Sequence, residues 1–231
     1  MTRTVTDSFS VAQVTATTPK ELQEKPQWVL WRGTDRIDQK TGEVKVTKVP
    51  MNPRGLGNAK TNDPRTWGTF EDCCTAIECA LEGWEAEEPG AYRGGGLGFV
   101  FTAGDPYAGI DLDHCRNPET GALEPWAQQL ITGLNSYTEV SLSGTGLHIF
   151  AQAKLSGEGH KRSPIEVYDQ KRFFTVTGAH LPGTPTTIEE RQAVIERLYD
   201  AAPIIAKALK QYGERFSLLF AGEWAKATTR R

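Results

Sequence analysis

The stretch GIDLDHC, residues 109–115, constrains the fold more than any other part of this chain. Gly109, Ile110 and Leu112 are residues of a covered strand, yet Asp111 and Asp113 interrupt them at a spacing of two. Side chains on a strand alternate between faces, so both carboxylates project from one face and lie close together. Ionised carboxylates at such range repel, and burying either is costly unless something compensates. Two arrangements relieve the repulsion. Either the pair sits at a solvated strand end, or a divalent cation lies against it, and hard oxygen ligands suit magnesium or manganese.

Around this strand the chain alternates strand and helix patterns. QWVLWR (27–32) and GEVKVTKVPMNP (42–53) read as strands, the second running into a Pro-terminated loop. Thr69 followed by Asp72 predicts a helix start, with Phe70, Cys73, Cys74, Ile77 and Leu81 keeping a helical stripe. In YRGGGLGFVF, Gly94 to Gly96 read as a turn before a strand; they open no helix, which is the wrong context for a phosphate loop. A second helix is predicted from about Leu123, with Pro125 in its first turn. SYTEVSLSGTGLHIFAQA reads as strand, tight turn, strand, and IEVYD and RFFTVTG as two more strands. A third helix is predicted over TIEERQAVIERLYD, with Thr187 and Glu190 as a capping box, and Pro203 separating it from another short helix. This alternation predicts an α/β or α+β chain.

Bulk properties narrow the function classes. With 231 residues, 38% hydrophobic and 24% charged, the chain has the composition of a globular protein. A net charge of −3 argues against a chain that simply coats nucleic acid, while leaving room for a local basic groove. No apolar run reaches the length of a membrane span, and MTRTVTDSFSVAQVT lacks a signal peptide's hydrophobic block. The expected place is the cytoplasm, with no membrane partner. Of the four cysteines none forms a CxxC pair, so no zinc is expected. Residues 1–18 are polar and expected to be flexible.

Three further groups join the aspartate pair. Ser143, Gly144, Thr145 and Gly146 form a turn whose backbone N–H groups and hydroxyls suit phosphate oxygens, with His148 opening the next strand; the same residues also fit a plain glycine hairpin with a core histidine. Glu166, between Ile165 and Val167, is a strand carboxylate able to supply a third metal ligand or simply to face water. Arg172 is placed to clamp a phosphate or to act as a surface charge. Together these are the parts that nucleotidyl transfer needs: metal-binding acids and cations or N–H groups for a departing pyrophosphate.

In chain order GIDLD, SYTEVSLSGTGLH with its closing histidine, and IEVY with RFFTVTG resemble the three motifs of the archaeo-eukaryotic primase superfamily. The likeness is to the primase-polymerase domains at the N-terminus of phage and plasmid replication proteins. QWVLWR, KVPMNP and DPRTWGTF resemble that family's upstream block, and the likeness covers roughly residues 25 to 200. The resemblance implies an α+β, two-lobed primase-polymerase fold. Its parts would be an N-terminal α/β lobe at about 19–95, an RRM-like antiparallel catalytic sheet at about 96–185, and a catalytic domain ending near 200. Residues 201–231 would begin a C-terminal helical extension or linker, in a fragment of a longer replication protein or a minimal version of one.

By the same resemblance, Asp111, Asp113 and Glu166 would bind two divalent metals, Mg2+ or Mn2+, and His148 would act with them at the catalytic centre. Ser143, Gly144, Thr145, His148 and Arg172 would contact the incoming nucleotide, with Arg32 and Lys48 as further phosphate contacts. The activity implied is that of a DNA primase and DNA polymerase in phage or plasmid replication. The partners implied are single-stranded DNA template, primer, dNTP or NTP, and a helicase on the same polypeptide or in the same replisome. Two other readings stay open: a metal-dependent nuclease, and a non-catalytic single-strand-binding module, which would need Trp28, Trp31, Phe173 and Phe174 as an exposed stacking platform although buried core is their more ordinary role.

Overall fold

A computed structural model of the protein describes residues 10–37, 42, 44–55, 57–87, 92–157, 159–162 and 164–212. In chain order these form α1 (Val11–Thr17), α2 (Lys20–Gln23), β1 (Trp28–Ile37), β2 (Val44–Met51), α3 (Phe70–Glu87), β3 (Tyr92–Phe101) and β4 (Tyr107–Leu112). There follow α4 (Pro125–Leu134), β5 (Thr138–Val140), β6 (Leu147–Gln152), β7 (His160–Arg162), β8 (Ile165–Tyr168), β9 (Arg172–Val176) and α5 (Gln192–Tyr212). Mixed helix and antiparallel sheet make this an α+β protein. The strands pair into a four-stranded sheet, β2-β1-β3-β9, and a five-stranded sheet, β5-β6-β4-β8-β7. Chain contacts divide the described residues into two compact units. The first runs to Val100 and takes in Phe173–Gly178; the second comprises Phe101–Arg172 and the residues from Ala179 onward. The expected boundary at 95/96 falls inside β3, and β9 belongs with the first sheet rather than the second.

The first unit is held by aromatic packing on the four-stranded sheet. Trp28 lies fully buried with its ring edge-on to Phe70 at 4.8 Å and Phe99 at 5.4 Å between centroids. The α3 start forms as its sequence dictates: Thr69 Oγ1 accepts from Asp72 N at 3.0 Å while Asp72 Oδ2 accepts from Thr69 N at 2.9 Å. Gly94 to Gly96 lie within β3 and are not a turn. The reason is tertiary: a Cβ on Gly95 would stand 2.9 Å from Trp31 O, 2.8 Å from Leu81 Cδ2 and 2.9 Å from Trp84 Cζ3. Glycine there lets α3 press directly on the strand. Residues 10–18, expected to be flexible, instead carry α1, capped by Ser10 and anchored by the buried Val14 and by Thr17 Oγ1 donating to Gly178 O at 2.8 Å. The rest of that expected tail, residues 1–9, lies outside the described residues.

In the second unit β4 is the central strand, antiparallel to β6 on one side and β8 on the other. Ile110, Leu112, Leu147, Ile149, Ile165 and Val167 face a core completed by Trp126, Leu130, Ile131 and Leu134 of α4 and Ile195 and Leu198 of α5. Pro125 opens α4, where its missing N–H costs nothing, and Asn135 ends it in the left-handed region at φ 38°. His160–Arg162 pair with β8 as β7. Two expectations fail nearby. The predicted Thr187/Glu190 capping box does not form, because residues 187–191 bond laterally: Tyr137 N donates to Thr187 O, Gln152 N to Glu189 O, and Arg191 N to Gln152 O. The helix starts at Gln192 and passes through Pro203 without stopping. The expected C-terminal extension lies, from residue 213 onward, outside the described residues. Among the described residues no helix is long and apolar enough to cross a membrane.

Candidate active site

Strand register places the candidate residues in a single row. Asp111 of β4 stands opposite His148 of β6 and opposite Glu166 of β8, and His148 in turn stands opposite Glu139 of β5. Directly paired residues share a sheet face, so these four side chains line the face turned away from α4 and α5. Asp113 follows in the turn just past β4, its N–H donating to Pro164 O at 2.8 Å. In the next row along the strands Gly109 lies between Phe150 and Tyr168, and the Phe150 ring packs against Phe101 and Tyr137. The acids therefore border an aromatic layer that lowers the local polarity.

Each member has a defined setting. The Glu166 side chain is 13% exposed; its Oε2 accepts from the Tyr168 hydroxyl at 2.7 Å, and Arg172 Nη2 stands 3.9 Å away. The Arg172 guanidinium lies over the Tyr168 ring, 4.6 Å from its centroid, and Nη2 donates to the Tyr168 hydroxyl at 3.1 Å. Burial pushes the Glu166 carboxyl above the usual range; the hydroxyl of Tyr168 and Arg172 oppose the rise, while Asp111 and Asp113 add to it. Burial, with the neighbouring Glu166, likewise moves Tyr168 up to about 12. His148 is 6% exposed, its Nε2 3.8 Å from Asp111 Oδ1 and its Nδ1 3.6 Å from Glu139 Oε1.

The hairpin between β5 and β6 has the internal bonding of a plain glycine hairpin, one of its two sequence readings. Its N–H groups are engaged internally: Gly144 N donates to Ser141 O, Thr145 N to Ser143 Oγ at 3.3 Å, and Gly146 N to Ser141 Oγ at 3.1 Å. What the turn offers a phosphate is a chain of hydroxyls, Ser141 to Ser143 at 3.2 Å and Ser143 to Thr145 at 2.9 Å. Gly144 adopts φ +73°, and Arg116 Nη1 donates to its carbonyl at 2.9 Å, bracing the turn from a position that sequence reading missed.

Arg32 and Lys48 belong to the first unit. Arg32 Nη1 makes an ion pair with Glu87 Oε2 at 3.0 Å, and Lys48 lies exposed with its ammonium 5.9 Å from the Trp31 ring centroid. The stacking platform is not there: Trp28, Trp31 and Phe174 are buried core, and Phe173 packs against Val29 and Val100. Cys115, next to the acids in sequence, is buried with its thiol pushed up to about 12 by desolvation.

Among the described residues no group of three or more His, Cys, Asp or Glu side chains is gathered closely enough to be a ready metal cage. The donor chemistry nevertheless fits a hard divalent cation. Asp111, Asp113 and Glu166 are all oxygen donors, and the two aspartates add a smaller share to the rise that burial imposes on the Glu166 carboxyl.

Fold and site together define a class: an α+β protein whose antiparallel sheet carries three carboxylates and a histidine in register, beside a hydroxyl-rich hairpin. No family model matches the chain. Over 170 residues, 71% of its length, it is 34% identical to a DNA primase-polymerase from Nitratiruptor phage NrS-1, and it spans 21% of that relative. The likeness carried by the three motifs thus extends well beyond them, and the chain contains a primase-polymerase domain related to part of that phage protein.

Proposed function

We propose that this chain is a template-directed nucleotidyltransferase, a DNA primase and DNA polymerase that makes and extends primers on single-stranded DNA during phage replication. The observation that carries this reading is the register of β4: Asp111 flanked by His148 on one side and Glu166 on the other. The kinship with a phage protein named for that activity supports it. On this reading the five-stranded sheet is the RRM-like catalytic sheet of a two-lobed primase-polymerase fold.

Asp111, Asp113 and Glu166 would hold two Mg2+ or Mn2+ ions, which when bound acidify the primer 3′-hydroxyl and neutralise charge on the triphosphate. The chain's own groups do the rest. His148 presents Nε2 on the acid face and donates to a phosphate oxygen of the incoming nucleotide. Arg172 can leave Tyr168 and Glu166 to pair with the departing pyrophosphate. The hydroxyls of Ser143 and Thr145 take further phosphate oxygens, and the Tyr168 hydroxyl keeps Glu166 turned toward the aspartates. A helicase on the same polypeptide or in the same replisome completes the proposed setting.

The test is primer synthesis and primer extension on single-stranded DNA, with NTPs and dNTPs supplied separately under each metal. Incorporation by the native chain, lost in Asp111→Asn and Glu166→Gln with folding intact, is the expected result. Template degradation without extension, or full activity in either variant, overturns the reading.

A further inference from the structure

The row across the second sheet contains one carboxylate that the proposed chemistry does not use. Glu139 is completely buried, and a bare carboxylate in that position is costly; an apolar residue would fill β5 more cheaply. Its oxygens are divided between two neighbours. Oε2 accepts from the Tyr137 hydroxyl at 3.2 Å, and Oε1 stands 3.6 Å from His148 Nδ1. The strand that carries it cannot swing outward. It pairs with β6 on one side, and on the other Val140 N donates to Ala179 O and Leu181 N to Thr138 O, both at 2.8 Å. Tyr137 is fixed as well, its ring stacked on His180 at 5.5 Å and 18°. The carboxylate is therefore a rigid acceptor aimed at one edge of the imidazole.

We propose that Glu139 is a positioning residue for His148: it holds the Nδ1 edge inside the sheet, so that Nε2 faces Asp111 and the surface where a nucleotide's phosphates lie. The imidazole has two orientations related by a ring flip, and only one sets Nδ1 against Glu139. With Nδ1 turned toward Glu139 Oε1 at 3.6 Å, the flipped ring would set a C–H edge against that oxygen and forfeit the contact. A carboxylate behind a functional histidine sets its tautomer and orientation in just this way. The role in nucleotide binding rests on the polymerase reading; the orientation of the ring does not.

Two measurements test this. The first is the 15N signature of the His148 ring in the full chain: the native protein should carry a proton on Nδ1, whether or not Nε2 holds a second one with which to donate to phosphate, and a bare Nδ1 overturns the proposal. The second compares Glu139→Leu, which keeps bulk and removes the acceptor, with Glu139→Gln, which keeps an oxygen acceptor. Glu139→Leu should raise the nucleotide KM about tenfold with a smaller change in kcat. Glu139→Gln should restore most of that loss, and Glu139→Leu should add nothing in a His148→Ala background. A folded Glu139→Leu with native KM, or one whose loss adds fully to that of His148→Ala, overturns the proposal. Should Glu139→Leu fail to fold, the native ring spectrum decides alone. If the native chain incorporates no nucleotide, the polymerase reading fails while the same spectrum still judges Glu139.

Discussion

Two glycines about one packing contact make opposite predictions. Gly95 sits in β3 beneath α3, and a methyl group there would stand 2.9 Å from the carbonyl of Trp31, which is backbone within a paired strand, and 2.8 and 2.9 Å from Leu81 and Trp84. Contacts that short require side chains to leave their rotamers or the helix to lift. Overpacking of this kind costs about 1–3 kcal/mol, less about 0.5–1 kcal/mol regained from the narrower unfolded ensemble. The net expectation for Gly95→Ala is a loss of up to about 2.5 kcal/mol, centred a little above about 1 kcal/mol, or about 2–5 °C in Tm at that centre for a chain this long. Gly83 lies exposed within α3, with nothing inside 4 Å of a built Cβ. Gly83→Ala should gain about 0.5–1 kcal/mol from helix propensity and raise Tm by about 1–4 °C. Urea and thermal melts of the two variants beside the native chain measure the difference. If Gly95→Ala melts with the native protein, the glycines do not serve close approach and the account of β3 is wrong.

Three further outcomes are expected. Asp72 is held below its ordinary range, first by the Thr69 N–H and then by Arg54 and the Thr69 hydroxyl, with slight burial opposing. A depressed folded value stabilises above the unfolded pKa and is lost as pH falls through the folded one; Asp72→Asn should therefore flatten the acid limb of a stability–pH curve, and an unchanged limb refutes this. Thr69→Ala removes the other half of the same cap and should cost about 1 kcal/mol in urea melts. Among the cysteines, exposed Cys79 should react first with a thiol reagent at neutral pH, while buried Cys73 and Cys115, both pushed up by desolvation, should stay silent until the chain unfolds.

Much of this was readable from residue spacing. The period of two in GIDLD set Asp111 on the face opposite Ile110 and Leu112, in register with His148 and Glu166, and Thr69 with Asp72 marked the start of α3. The glycines of β3 were misread because their reason is Trp84, eleven residues upstream of Gly95 and on another element, which no local rule contains. The Thr187/Glu190 box satisfied a local pattern that lateral bonding to Tyr137 and Gln152 outcompeted. Glu139 resembled any polar residue on a half-exposed strand. Its signal lay in the hairpin itself: once Ser141 pairs with Gly146, counting outward puts Glu139 opposite His148. The arginine bracing the turn, Arg116, had no such signal, since its contact with Gly144 joins segments far apart in the chain.

The return of Phe173–Gly178 to the first sheet has a consequence for anyone dividing this protein. A gene truncated after Val100 would encode β1, β2 and β3 without β9, baring the rim of β3 to any passing strand. Neither half is a cassette that one cut can release. Grafting the acid-bearing sheet onto another scaffold would require replacing the interrupting segment with a short linker, and exchange of parts between relatives must carry both crossings together.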